Sequence, residues 1–272
     1  MEMQLATAET IAAIERSEVD YTEDRLLAMQ EREGNPEGIE LRRFGSALCL
    51  YSRTMPWPGF NTVKGLSSDD AGELDAILDF YAARGRKVQF ELVPSRVDAP
   101  LLEALGDRGF IPSGHHTSMA GPPIEQPLQL PPGVVIRQAG AGDYDAYAAI
   151  HCAAFGLPAS GIAPVAANNA VLHGRAGWSV WLAEVSGEPA AAAVLYEHGG
   201  VASLTFAGTM PAYRGRGLHG LLLRHRLNRA ASSGCSLVAG QCAFLSASHR
   251  NMERAGLQVA YVRSTWMRRP ER

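Results

Sequence analysis

The chain has 272 residues, 46% of them hydrophobic, which is enough apolar material for one or two buried cores and is the composition of a globular protein. A formal net charge of −3 gives no global attraction to nucleic acid. No apolar run reaches the roughly 18 residues of a membrane span, and Met1-Glu2-Met3-Gln4 lacks the basic-then-apolar build of a secretory leader, so a cytoplasmic protein without nucleic-acid or membrane partners is expected.

In chain order, the first clear elements are a strand over 60–63 and an amphipathic helix that starts at the capping run Ser67-Ser68-Asp69-Asp70 and continues to Arg84, where Gly85 stops it. Residues 88–93 read as a strand ended by Pro94, and 101–109 as a short helix. Its exit, Leu105-Gly106-Asp107-Arg108-Gly109-Phe110, echoes Met252-Glu253-Arg254-Ala255-Gly256-Leu257, which points to an internal duplication. Five prolines within residues 121–133 bar both helix and central strand. Domains are therefore expected over 1–120 and 134–272, with 121–133 as the linker.

The second half opens with a strand at 134–137. Asp143 then caps an amphipathic stretch through Phe155, and another helical stretch ends near His173. Residues 178–185 and 190–196 read as strands joined at Ser186-Gly187-Glu188-Pro189, and 201–209 as a further strand. After a Gly-rich loop come a helix over 218–231 and a strand over 236–243. Cys49, Cys152, Cys235 and Cys242 show no paired short spacing, so neither a metal site nor a disulfide framework is expected.

The loop Arg214-Gly215-Arg216-Gly217-Leu218-His219-Gly220 joins that strand to that helix without a break. Gly215, Gly217 and Gly220 permit positive φ and carry no Cβ, so successive backbone N–H groups can face an anion at the helix N-terminus. A dinucleotide site would need an acid roughly 20 residues on, yet no Asp or Glu occurs from His198 to Met252. A Walker A loop would need Lys-Ser/Thr after the glycines, and none follows.

With its flanks, this loop resembles the coenzyme A pyrophosphate loop of the GNAT superfamily of acyl-CoA-dependent N-acyltransferases. Pro211-Ala212-Tyr213-Arg214-Gly215-Arg216-Gly217 matches one family block, and Ser246-Ala247-Ser248-His249-Arg250-Asn251-Met252-Glu253-Arg254-Ala255-Gly256-Leu257 matches a second. The departures are His219 for Gly or Ala, His249 for Gln and Leu257 for Phe. The resemblance implies an α+β fold with a mixed central sheet flanked by helices, two GNAT-like domains in tandem, and acetyl-CoA as co-substrate for direct acetyl transfer to a primary amine.

It also implies site residues. Backbone groups of Phe206, Ala207 and Thr209 would hold the pantetheine arm and polarise the thioester, while Arg214 and Arg216 would grip phosphate alongside the amides of Gly215, Gly217, Leu218, His219 and Gly220. Ser246, Ser248 and Asn251 would contact the pantetheine or phosphoadenosine end, with helix N-capping as the alternative role for either serine. Glu197 is the first candidate for the base, before His198 and Glu184. The tyrosine that protonates the departing thiolate in the family aligns with Met252, which leaves Tyr261 or Ser248 to substitute. Cys242 falls near the expected thioester, with packing as its favoured role. Arg224, Arg226 and Arg229 are read as a solvated helix face, with a place partly near the adenosine 3′-phosphate as the alternative.

In the N-terminal half the equivalent turn, Lys64-Gly65-Leu66-Ser67-Ser68, has no Arg-Gly-x-Gly and puts acids at the helix start, where they would compete with a pyrophosphate. CoA binding is therefore expected only in the C-terminal domain. Acceptor choice would lie with His151, Phe155 and Asn168. The alternative to an enzyme is a non-catalytic acyl-CoA-binding sensor or interaction module.

Overall fold

The computed structural model describes residues 7–270; Met1-Glu2-Met3-Gln4, read above for the lack of a leader, lie outside them. In chain order the elements are α1 (Ala8–Gln30), β1 (Ile39–Phe44), β2 (Ala47–Ser52), β3 (Thr62–Lys64), α2 (Leu74–Ala82), β4 (Gln89–Leu92), α3 (Ala99–Asp107) and β5 (Phe110–Gly121). They continue with β6 (Val134–Gln138), α4 (Tyr144–Phe155), α5 (Ile162–Ala170), β7 (Trp178–Val185), β8 (Glu188–His198), β9 (Val201–Thr209), α6 (Leu218–Ser232), β10 (Leu237–Cys242), α7 (Ala247–Arg254) and β11 (Gln258–Arg268). Two compact units result: Met1–Ser118 together with Val259–Arg272, and Met119–Gln258.

The second unit has the strand order β10-β9-β8-β7-β6. All neighbours are antiparallel except β9 and β10, which are parallel and joined by the crossover helix α6. Leucines of α6, among them Leu218, Leu221 and Leu222, bury against an alanine-rich stretch of β8. The small side chains of that stretch let the helix approach the sheet closely. Below β9, Leu204, Leu223, Leu227, Val238 and Met252 form the adjoining core.

The first unit follows the same plan in the order β1-β2-β3-β4-β11-β5. Strands β1, β2 and β3 are antiparallel, and β3 is parallel to β4 through α2, as β9 is to β10 through α6. An aromatic core fills it, with edge-on rings for Phe80 and Tyr81 at 5.1 Å and for Phe90 and Phe110 at 5.0 Å. Asp70 accepts from the backbone N–H of Ser46 at 2.8 Å and of Ser67 at 2.9 Å, which realises the capping chemistry read from Ser67 onward.

The domain limits differ from a single cut at 121–133. Residues from Val259 onward belong to the first unit, because β11 pairs antiparallel with β4 through Ser264↔Leu92 and Trp266↔Phe90. The Pro-rich segment belongs to the second unit. Gln126 exchanges two 2.8 Å hydrogen bonds with the Asn228 side chain of α6 and donates to the Ala255 carbonyl at 2.8 Å.

A buried charge cluster ties four elements of the first unit together. Lys64 Nζ of β3 lies 2.8 Å from Glu18 of α1 and 2.5 Å from Glu91 of β4; Arg263 of β11 pairs with both carboxylates, at 3.2 Å to Glu91. Burial pushes the Glu18 carboxyl up, but Arg263 and Lys64 outweigh it and hold the group down at about 2. Its stabilisation is thus fully present above the ordinary carboxylate range and is lost as pH falls through the folded value. Glu18→Gln should cost about 3–5 kcal/mol at neutral pH by leaving the two buried cations a single carboxylate, Glu91, between them. Urea titrations at several pH values should show that it also removes part of the acid sensitivity below pH 4.5.

Candidate functional site

Parallel pairing of β9 with β10 stops at Leu204↔Gly240, and beyond it the two strands part. On its other edge β9 slips against β8: Ala192 faces Gly208 but Val194 faces Thr205, so β9 carries one extra residue. Phe206 sits in this bulge at φ +44°, a conformation that costs a bulky residue about 1–3 kcal/mol and persists only where the surroundings impose it. Helix α4 packs close by, since a Cβ on Gly208 would come within 2.7 Å of Ala154 Cβ.

A bulge takes carbonyls out of the ladder, and buried carbonyls need another donor. Arg226 of α6, 1% exposed, is that donor. Its Nη1 reaches the Val194 carbonyl at 2.9 Å and the Thr205 carbonyl at 3.4 Å, and its Nε reaches Leu222 at 3.3 Å. Burial pulls the guanidinium down to about 9.

After β9, Gly215 at φ +78° and Gly217 at φ +77° turn the chain so that Gly217 caps α6, whose first turn carries no acid. A Cβ at either would meet nothing within 4 Å, so conformation rather than crowding demands glycine there. The positive helix end therefore opens into a cavity of about 800 Å³. Its walls carry Arg214, Arg224 and Arg254 and, among the described residues, no Asp or Glu. Charge, donors and size suit an elongated polyanion.

Of the expected residues, Ala207, Thr209, Arg214, Gly215 and Gly217 line this cavity, as do Leu218, His219, Gly220, Ser248 and Asn251. Phe206 carries the bulge without lining it. Arg216 is not among the lining residues; its guanidinium lies 5.1 Å from the ring centroid of Tyr213, which is one of them. Ser246 takes the capping alternative, accepting from the His249 N–H at 3.1 Å.

An ordered hydrogen-bond chain crosses the wall between α6 and α7. Arg254 Nη1 donates to Asn251 Oδ1 at 3.1 Å, which turns Asn251 Nδ2 toward His219 Nδ1 at 3.0 Å. Nδ1 is then the acceptor, and Nε2 keeps the proton. Burial, aided by the Arg226 charge, pulls the imidazole down to about 4, so it is neutral at pH 7.

Residues 144–240 match the model of the acetyltransferase (GNAT) domain. They form a GNAT domain. Beyond that segment the likeness is one of fold. A GCN5-related N-acetyltransferase from Kribbella flavida superposes with a TM-score of 0.65 at 19% identity, over 91% of this chain and 96% of its own. One from Sphaerobacter thermophilus gives 0.60 at 17% identity, over 98% and 93%. A tandem GNAT protein from the clavulanic acid biosynthesis pathway gives 0.61 at 16% identity, over 87% and 86%. No curated protein sequence matches the chain.

On this GNAT frame, of the expected acid–base residues Ser248 lines the cavity and the others lie elsewhere. Glu197 pairs with Ala202 at the start of β9, six residues from Ala191, which faces Thr209; six residues of strand span roughly 20 Å. Its carboxylate instead lies 3.7 Å from Arg229 Nε. Glu184 is bound to Arg137 at 2.7 Å, and His198 stacks on Tyr196. Tyr261 belongs to β11 in the first unit, where burial and then Glu18 push its hydroxyl up. Met252 is in the core, and burial pushes the Cys242 thiol up to about 11, which keeps it protonated.

Arg224 and Arg226, both read as solvated, are a cavity residue and a core residue respectively; of the three arginines Arg229 alone has an exposed side chain. Arg254, Gln126, Ala154 and Phe155 also line the cavity. Spacing could have flagged Arg224 and Arg254: Arg224 is one helical turn past Gly220 and Arg254 one past Asn251.

Titration of the His219 ring by NMR should give a folded-state value near 4. Because the neutral ring is favoured in the folded chain, its stabilisation is full above the ordinary value of 6.5 and is lost as pH falls toward 4. That loss should amount to about 3 kcal/mol of unfolding free energy, and His219→Phe should abolish it.

Proposed function

We propose that the second unit binds an acyl-CoA, specifically acetyl-CoA, and transfers its acyl group directly to a primary amine. The observation that carries this reading is the cavity at the glycine-turned start of α6, lined by three arginines and no carboxylate, beside the split between β9 and β10. Backbone N–H groups at the helix start, with Arg214, Arg224 and Arg254, would hold the phosphates. The thioester would then reach the bulge, where the main-chain N–H groups of Ala207 and Thr209 would face the split and polarise its carbonyl.

An alkyl amine has a reference pKa of about 10.4, so it must shed a proton before it attacks. With no carboxylate on the cavity wall, that proton passes to water. The amine nitrogen bonds to the carbonyl carbon, the C–S bond breaks, and the thiolate, with a reference pKa of about 8.5, leaves without a tyrosine donor, while the nitrogen gives its second proton to water as the amide forms. Positioning and carbonyl polarisation supply the rate enhancement.

The first unit, in this reading, is a degenerate copy that binds no CoA. Its parallel pairing stops at Val63↔Phe90, and the next residues, Lys64 and Glu91, pair with each other and with Glu18 and Arg263 across the place where the second unit is open. Asp70 already puts a carboxylate at the start of its helix, where it accepts from the Ser67 N–H of the cap and from the Ser46 N–H of the β1–β2 turn.

A second reading, an acyl-CoA sensor without turnover, draws support from the buried Met252 at the family's tyrosine position. Incubating acetyl-CoA with a panel of amines separates the two. Transfer should release free thiol in proportion to added amine, whereas a sensor binds acetyl-CoA and releases none above background. Calorimetry locates the site independently: Arg224→Ala should weaken CoA binding roughly 10- to 100-fold, the worth of a charge-assisted contact, and Arg229→Ala less than about twofold. Equal losses would move the phosphates off the start of α6.

A further inference from the structure

Arg226 has no place in phosphate binding, since it neither lines the cavity nor reaches solvent. It projects from the middle of α6 into the sheet, and its three hydrogen bonds all end on main-chain carbonyls. No carboxylate pairs with it among the described residues. A guanidinium in such a place is disfavoured by desolvation, and a leucine or methionine would fill the volume more stably. The position therefore calls for a reason beyond packing.

That reason lies in where its donors land. Val194 and Thr205 face each other just beyond the register slip, and Thr205 immediately precedes Phe206 with its left-handed backbone. Bonding both carbonyls from one nitrogen locks the strand pair at the point where regular pairing fails. We propose that Arg226 is a positioning residue of the acyl site: it holds the bulge of β9 in the geometry that aims the N–H groups of Ala207 and Thr209 into the split, and supplies a buried positive charge beside the carbonyl oxygen that becomes negative during transfer. This inference rests on the acyl-transfer reading of the second unit. The reach of that charge is visible at His219 on the cavity wall and at His225, both pulled down by Arg226 after burial.

The test uses the full chain with Arg226→Met, which keeps volume and removes donors and charge, and Arg226→Lys, which keeps the charge with different geometry. Folding is checked by circular dichroism, acetyl-CoA affinity by calorimetry and turnover by thiol release with the fastest amine of the panel. The infrared carbonyl stretch of bound acetyl-CoA carrying carbon-13 at the acetyl carbonyl reports polarisation directly.

Arg226→Met should bind acetyl-CoA within about threefold of wild type, lose about 100-fold in kcat as removal of oxyanion donors does, and lose the low-frequency shift of the bound carbonyl. Arg226→Lys should recover part of both. A folded Arg226→Met with unchanged kcat and carbonyl stretch overturns the inference, as does a fall in affinity that parallels the fall in kcat. Failure of both variants to fold assigns Arg226 to the core alone and overturns it equally. A wild-type chain that binds no acetyl-CoA defeats the acyl-transfer reading first, and this inference with it.

Discussion

The parting of β9 from β10 after four residue pairs is the constraint around which the second unit is built. Two parallel strands that stop pairing expose rows of amides and carbonyls inside a protein, and each group must find another partner. On the β8 side of β9, where the bulge falls, the Val194 and Thr205 carbonyls are answered by the guanidinium of Arg226. The β10 side is left facing a cavity whose far wall is a helix start with positive polarity. Glycines at 215 and 217 make that second arrangement affordable, because they let the chain double back at the strand end without a Cβ in a left-handed turn.

The two units solve the same problem in opposite ways. Beyond Val63 and Phe90 the first unit closes its split with side chains of balanced charge, two carboxylates against two cations. Such a cluster balances its own charge and leaves a cavity of only about 10 Å³ beside it, too small for a ligand. Beyond Leu204 and Gly240 the second unit buries one cation without a counter-charge and leaves the rest open. The first arrangement holds a fold together; the second keeps a polar gap available for an anionic guest.

Much of this was legible in the sequence. Strands β7 and β9 lie where alternation and flanking glycines put them, and the loop of residues 214–220 is a local motif whose geometry follows from its own glycines. What escaped depends on distant partners. The bulge is a property of two strands in register, and no single strand announces it. Glu197 looked well placed because it follows a strand, yet an antiparallel hairpin sends the end of β8 to the opposite edge from the end of β9. Arg224 and Arg226 are two residues apart, hence on opposed faces of α6, and only packing decides which face meets the core. Helix α1 went unread because charged residues interrupt its apolar positions, and one of them, Glu18, turns out to be buried.

The membership of β11 in the first unit bears on how the polypeptide acquires its shape during synthesis. Strand β11 lies between β4 and β5, so until residue 258 and those after it leave the ribosome, the growing amino-terminal portion has two unpaired strand edges where a finished sheet has none. Those edges are sticky templates for other chains. Domains ordinarily mature in the order they are made; here the first to be translated is the last to be completed, and a chaperone has a natural window in which to act.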